Sequence, residues 1–311
     1  MRLGLGLGLE YSKLSGGGSG YNAFTIEVKT DNTGTSNDNQ FQFTGAQGDY
    51  DVVAKQNDIV VATFNDLSNQ ETITLPSSGV YVLEITPKAT NGFNRIKFND
   101  SGDKDKIKDV KQWGNIVWSS FSKAFKNCED MLVTATDVPN LSQVNDLGSM
   151  FRNASIANPD VSNWDVSNVI DMGIMFYNAA SANPDVSNWD VSSVTDMSSM
   201  FFRATSANPD TSNWDVSSVT AMSYMFREAA SANPDTSNWD VSNVTDMNKM
   251  FKNSNLSVEN LTACYENWSQ LNLQQNVEFS AGSTKYNSSG QAGRDILVNT
   301  YNWLITDGSQ V

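Results

Sequence analysis

The sequence predicts a multidomain chain: a β-sandwich, then an α/β solenoid built from repeats, closed by a helical C-terminal cap. Three observations carry that expectation. Short runs rich in Val, Ile, Thr, Phe and Tyr fill residues 21–100, the composition of strands. A motif then recurs every twenty-five residues, with Trp164, Trp189, Trp214 and Trp239 in one phase and Phe151, Phe176, Phe201, Phe226 and Phe251 in another. After Phe251 the motif stops, and NLTACYENWSQLNL takes the spacing of an amphipathic helix.

The strand region contains FTIEVKT, FQFTG, YDVVAK, IVVATF, ETITLP and GVYVLEITP, separated by turn residues such as Asn57-Asp58 and Ser78-Gly79. Short strands at roughly regular spacing read as a sandwich over 21–100. The charged run NDSGDKDKIKD ends it, and residues 101–112 read as a linker or cap. Ahead of it, residues 1–20 alternate Leu with Gly, so that Leu3, Leu5, Leu7 and Leu9 share one face of an extended segment. That stripe is the candidate anchor to an assembly partner; the alternative is a disordered terminus. Glu10 and the lack of a small-residue cleavage site argue against a secretory signal. No stretch approaches the ~18 apolar residues of a membrane span, so no membrane insertion is expected.

The repeat region runs from 113 to 251, with the remainder, 252–311, as the cap. Pro159, Pro184, Pro209 and Pro234 keep the same phase as the tryptophans, and Trp113 lies twelve residues before Phe125 as Trp189 does before Phe201. A fixed period of this length is the signature of stacked coils. Val186, Trp189 and Val191 fit leucine-rich-repeat spacing and point inward, leaving Asn188 and Asp190 outward on a strand. Thr195-Asp196 reads as a helix start, and Met197, Met200, Phe201 and Ala204 form an i, i+3, i+4, i+7 stripe. Each repeat is thus expected to be one strand and one short helix. Trp stacked on Trp and Met-Phe on Met-Phe would form the core.

Charge narrows the function. The net charge is −15, which argues against nucleic acid and anionic lipid as partners. Histidine is absent, removing the commonest general base and metal ligand. Cys128 and Cys264 read as small buried hydrophobes. Residues 141–250 carry twelve Asp and one Glu against Arg152, Arg203, Arg227 and Lys249. Stacking aligns Asp165, Asp190, Asp215 and Asp240, with Asn163, Asn188, Asn213 and Asn238 beside them, on the expected strand face. This column is the candidate binding site, the alternative being a plain solvated face. Asp160, Asp185, Asp210 and Asp235 follow Pro and suit turns; Asp171, Asp196 and Asp246 suit helix starts. The Gly-rich calcium repeat and the EF-hand loop are both missing, so no cofactor or metal is expected, Ca2+ on the Asp column being an alternative without a motif behind it, and no catalytic residue is assigned. Glycoside hydrolysis needs two carboxylates with distinct pKa values, which identical Asp residues in identical surroundings do not supply.

The block NPDVSNWDVSSVTDMSSMF resembles the repeats of BspA-like leucine-rich surface proteins, over residues 113–251. KIKDVKQWGNIVWSSFSKAFKNCEDM and WLITDG are similar to segments flanking such repeats, and the β region is similar to an Ig-like domain of the polycystic-kidney-disease type. Where family repeats commonly carry Phe-Asn-Gln, Ala182-Asn183-Pro184 stands here. The resemblance implies adhesion or recognition at a surface. The Leu-Gly arm is similar to the N-termini of some phage structural proteins. The expected function is therefore a non-enzymatic structural or adhesion protein on a phage particle, as decoration, fibre or tail component. Its repeats would recognise a protein or glycan on the host surface, and its arm would join it to other virion or surface-assembly proteins. The alternative is a bacterial cell-surface adhesin, with a glycan-active enzyme a more distant third.

Overall fold

The structure, a computed structural model, describes residues 23–88 and 92–311. The candidate anchor residues Leu3, Leu5, Leu7 and Leu9 lie outside the described residues. The strands of the first half are β1 (Phe24–Lys29), β2 (Gln40–Gln42), β3 (Asp49–Gln56), β4 (Ile59–Ser68), β5 (Thr72–Thr74), β6 (Val80–Pro87), β7 (Ile107–Gln112) and β8 (Leu132–Val133). Six of them form one sheet in the order β4-β3-β6-β1-β7-β8, and β2 pairs with β5 separately. Period-2 alternation buries Ile26, Val28, Tyr50, Val52, Tyr81, Leu83 and Ile85 on one face, against Phe41, Phe43, Phe93 and Phe98.

This corrects the Ig-like expectation. The layer facing the six-stranded sheet is a single three-residue pair, β2–β5, with loops around it, where an Ig-like sandwich needs two multi-stranded sheets. The charged run beyond it also folds differently from a linker. Asp103 and Lys106 are fully buried. Asp103 accepts from the backbone of Thr35, Ser36 and Gln42, while Lys106 Nζ donates to the carbonyls of Ser36, Asn37 and Gln40. The pair clamps the loop before β2, and β7 then enters the sheet beside β1 and carries β8 in parallel.

The larger correction concerns the repeats. The expected α/β leucine-rich-repeat solenoid with a helical cap does not form. Between Val133 and Val258 there is neither a strand nor a helix among the described residues. Each repeat is a succession of tight turns instead, closed by bonds such as Trp189 N–H to Val186 O, Val194 N–H to Val191 O, Met200 N–H to Met197 O and Ala204 N–H to Phe201 O. The backbone reason lies in the Met-x-x-Met-Phe stretch. Lys123, Ser149, Ile174, Ser199, Tyr224 and Lys249 have φ between 53° and 63°, as do Asn127, Asn153, Asn178, Arg203, Glu228 and Asn253 within a similar range. Two left-handed residues per repeat interrupt any α-helix. Their alternation frees every second N–H for the next coil: those of Met197, Ser199, Phe201 and Arg203 donate to the carbonyls of Ala221, Ser223, Met225 and Arg227.

The invariant half of each repeat is explained by bonds of the same coil-to-coil kind. The amide oxygen of Asn183 accepts from Asn208 N–H, that of Asn208 from Asn233 N–H, and that of Asn233 from Ser257 N–H. The indole N–H groups of Trp189, Trp214 and Trp239 reach the carbonyls of Val161, Val186 and Thr211. Phe125, Phe151, Phe176, Phe201, Phe226 and Phe251 stack 5.5–5.9 Å apart within 13° of parallel, and Trp189, Trp214 and Trp239 stack at 6.2–6.5 Å. The expected core of Trp on Trp and Phe on Phe is therefore present on an unexpected backbone.

Both ends of the stack are covered. At the first, Trp113 meets Trp164 edge-on at 5.6 Å. At the second, helix α1 (Val258–Trp268) carries Trp268, whose N–H bonds Thr236 O and so continues the tryptophan pattern. Strand β9 (Glu278–Ser280) takes Phe251 N–H on Ser280 O and sets Phe279 edge-on to Phe251. Helix α2 (Gln291–Tyr301) leads to β10 (Leu304–Thr306), which pairs parallel to β9. This end is mixed in structure, and a strand, not a helix, makes the backbone bonds to the last Met-Phe turn.

Candidate recognition surface

Four consecutive repeats, from Ala157 to Leu256, share Ala-Asn-Pro-Asp and Ser-Asn-Trp-Asp-Val-Ser without change. Apart from the replacement of Asp by Ala221 in one column, their chemically large differences fall at three positions at the two left-handed turns. These read Ile174, Ser199, Tyr224 and Lys249; Tyr177, Phe202, Arg227 and Lys252; and Asn178, Arg203, Glu228 and Asn253. The coil-to-coil bonds extend the same columns back to Lys123, Lys126 and Arg152. All four basic residues of 141–250 therefore stand in one strip, in a region that is otherwise acidic.

The strip is built of rings and cations. Tyr177 and Phe202 stack at 4.6 Å and 9°, and Tyr224 meets Phe202 edge-on at 6.4 Å. Arg152 lies 5.1 Å over Tyr177; Arg203 and Arg227 lie 5.1 and 5.3 Å over Phe202; Lys249 lies 5.3 Å over Tyr224. Such contacts fix a guanidinium plane while leaving its N–H edges free to bond. Glu228 sits between two of them, 2.6 Å from Arg203 Nε and 2.8 Å from a terminal nitrogen of Arg227. The bond from Arg203 holds the Glu228 carboxyl below its ordinary range. Phe202 is covered by this arrangement, whereas Arg203 remains half exposed.

One side of the strip is bordered by a row of carboxylates. Asp146, Asp171 and Asp196, then Ala221 and Asp246, are joined coil to coil by parallel bridges. The first three line a groove of about 280 Å³ with Lys123 and Ile174. Burial raises the Asp171 carboxyl, the Gly173 N–H opposes that, and the flanking Asp146 and Asp196 raise it further. The row loses its carboxylate at Ala221, beside the Arg203–Arg227–Tyr224 cluster. None of these Asp residues begins a helix, since the described residues between Val133 and Val258 form none; each accepts from the N–H two residues on, as Asp171 does from Gly173. At its far end the strip opens into a second groove of about 370 Å³, lined by Lys249, Lys252, Glu278, Ser280, Ser283 and Thr306.

The expected strand-face residues lie on turns. Asp165, Asp190, Asp215 and Asp240 are exposed, and each accepts from the N–H of the Ser two residues on. Asp160, Asp185, Asp210 and Asp235 make the same turn with Ser162, Ser187, Ser212 and Ser237. Serine hydroxyl and amide donors hold Asp160, Asp165, Asp210 and Asp215 below the ordinary carboxylate range. Asn163, Asn188, Asn213 and Asn238 are exposed beside them. The two Asp columns therefore share one local duty. Among the described residues no three His, Cys, Asp or Glu side chains converge as a metal site, Cys128 and Cys264 are free and buried, and no helix is long and apolar enough to cross a membrane.

A family described as "Mycoplasma protein of unknown function, DUF285" matches residues 119–233 and 182–291, together more than half of the chain. The chain belongs to this family, which is associated with BspA-like surface repeat proteins. No curated protein and no solved structure matches it.

The strip is not legible from the repeat pattern, because its residues differ from repeat to repeat. The signal was nonetheless present. Where most positions of a repeat are held fixed by the Trp and Met-Phe core, the positions that vary in charge and ring type lie outside that core.

Proposed function

We propose that the chain is a non-enzymatic recognition protein displayed on the outside of a virion or a cell, and that it binds through the strip from Arg152 to Lys252. The observation that carries this reading is the gathering of the repeats' cationic and aromatic variation on one side of the coils. Fixed positions build the stack, and variable ones, rich in Arg and Tyr, give it a surface unlike any single repeat. These two residue types are the ones enriched where binding energy concentrates. The family's association with surface repeat proteins supports display on a surface. The Asp-x-Ser turns support a non-catalytic role, because Asp165 and Asp215 are shifted in the same direction by the same bonds, where acid–base pairs need opposite shifts.

The test is adsorption of fluorescently labelled full-length protein to a panel of intact bacterial and animal cells. Wild type is expected to saturate a subset of them, and the triple variant Arg203→Gln, Arg227→Gln, Lys249→Gln to lose that attachment while melting cooperatively. Equal attachment by the variant would move the site off the strip. Release of reducing sugar from those cells, abolished by a single Asp→Asn change, would show an enzyme instead.

A further inference from the structure

We infer that the ligand of the strip is a linear polyuronate, a glycan carrying one carboxylate per sugar, lying along Arg203, Arg227 and Lys249 with its end in the Lys249–Lys252 groove. The inference rests on the recognition surface proposed above and names its ligand class. Carboxylate is the anion the strip already holds: Glu228 lies between the two guanidiniums, 2.6 and 2.8 Å from one nitrogen of each, at charge-assisted distance and with the remaining N–H groups of both left over. Lys123, Arg152, Lys249 and Lys252 form no ion pair among the described residues, which leaves cationic positions for an added anion. Charge complementarity is locally strong although the whole chain is at −15, because the bordering carboxylate row is interrupted at Ala221, beside these cations.

Spacing and surface chemistry separate a glycan from other polyanions. Successive coils are joined by parallel backbone bridges at Asp146, Asp171, Asp196, Ala221 and Asp246, which sets them about 4.8 Å apart. An extended acidic peptide presents same-side carboxylates every ~6.6 Å, and so drifts out of register within a few coils. Single-stranded nucleic acid is held by bases stacking on bare aromatic faces, whereas Tyr177 and Phe202 are covered by each other and by guanidiniums. The terminal groove supplies the hydroxyls of Ser280, Ser283 and Thr306 and sets two lysines against the single carboxylate of Glu278, a lining with partners for sugar hydroxyls and one positive charge in excess for a carboxylate.

The experiment is calorimetric titration of the full chain with oligogalacturonate long enough to span the strip. Its methyl ester, poly-glutamate and oligo-dT serve as comparison probes. Binding to oligogalacturonate is expected to weaken with added salt, to vanish for the methyl ester, and to fall about tenfold or more in the Arg203→Gln, Arg227→Gln variant. Lys252→Gln, in the terminal groove, is expected to weaken it with the fold untouched. No binding by wild type, equal binding by the variants, or tighter binding of poly-glutamate or oligo-dT would overturn the inference. If oligogalacturonate fails while the variants still lose attachment to cells, the ligand class is refuted and the recognition surface stands.

Discussion

Trp164 and Trp214 hold the same place in two repeats but differ in one bond. The indole N–H of Trp214 reaches Val186 O at 3.0 Å, while that of Trp164 is buried without a partner among the described residues. A buried hydrogen bond contributes about 1 kcal/mol net, and a buried unpaired donor is itself a cost. Trp214→Phe is therefore expected to destabilise the protein by about 1 kcal/mol more than Trp164→Phe in urea denaturation; equal effects would show that the indole bonds do not hold the coils together. Asp171 gives a second test at this scale. Its carboxyl is raised above the ordinary range by burial and by Asp146 and Asp196, so the folded state takes up a proton more readily than the unfolded chain. Its charge thus opposes folding at neutral pH, and the opposition is relieved as pH falls through the raised value. Asp171→Asn keeps an acceptor for the Gly173 N–H and is expected to melt higher than wild type at pH 7. That advantage should shrink on acidification. Ala221→Asp, which completes the carboxylate row, is expected to melt lower.

At the scale of the element, the lesson lies in the Met-x-x-Met-Phe turn. Met197, Met200, Phe201 and Ala204 are all fully buried, so their helical spacing identified the core correctly. The backbone did not follow, because a stripe of eight residues is too short to make a helix stable on its own, and neighbouring coils offer competing hydrogen bonds. The recurring Asn127, Asn153, Asn178 and Asn253, all left-handed, were the legible warning, since Asn is the residue that best tolerates that conformation after Gly. Ile174 at φ 63° is the least suited member of its column, as β-branched residues are strained there. Ile174→Asn is expected to raise stability by about 1 kcal/mol, read as a shift in the urea midpoint. A loss would mean that the Ile174 side chain contributes more by packing than its backbone costs. Asp103, Lys106 and β7 failed for a different reason. Charged residues read as solvated, yet these are buried because each finds oxygen or N–H partners in the loop before β2; such pairing depends on residues some seventy positions away.

Across the whole molecule, one buried core runs from Phe24 in β1 to Trp303 before β10. The sheet, the coils and the C-terminal elements are thus packed in series, and the strip of cations and rings follows the coils. Composition suggested an acidic binding face, because Asp dominates the repeats. Geometry divides those carboxylates into exposed columns and a row whose Asp146, Asp171 and Asp196 are partly buried, all in turns of one kind, and gathers the cations elsewhere. The central claim is that recognition belongs to the strip and not to the Asp columns. It is tested most directly by comparing two full-length variants for attachment to the cells that wild type binds. In the first, Arg203, Arg227 and Lys249 become Gln; in the second, Asp165, Asp190, Asp215 and Asp240 become Asn. The account predicts that the first loses affinity by about tenfold or more and that the second binds like wild type. Loss of attachment in the second variant, with the first unaffected, would contradict it.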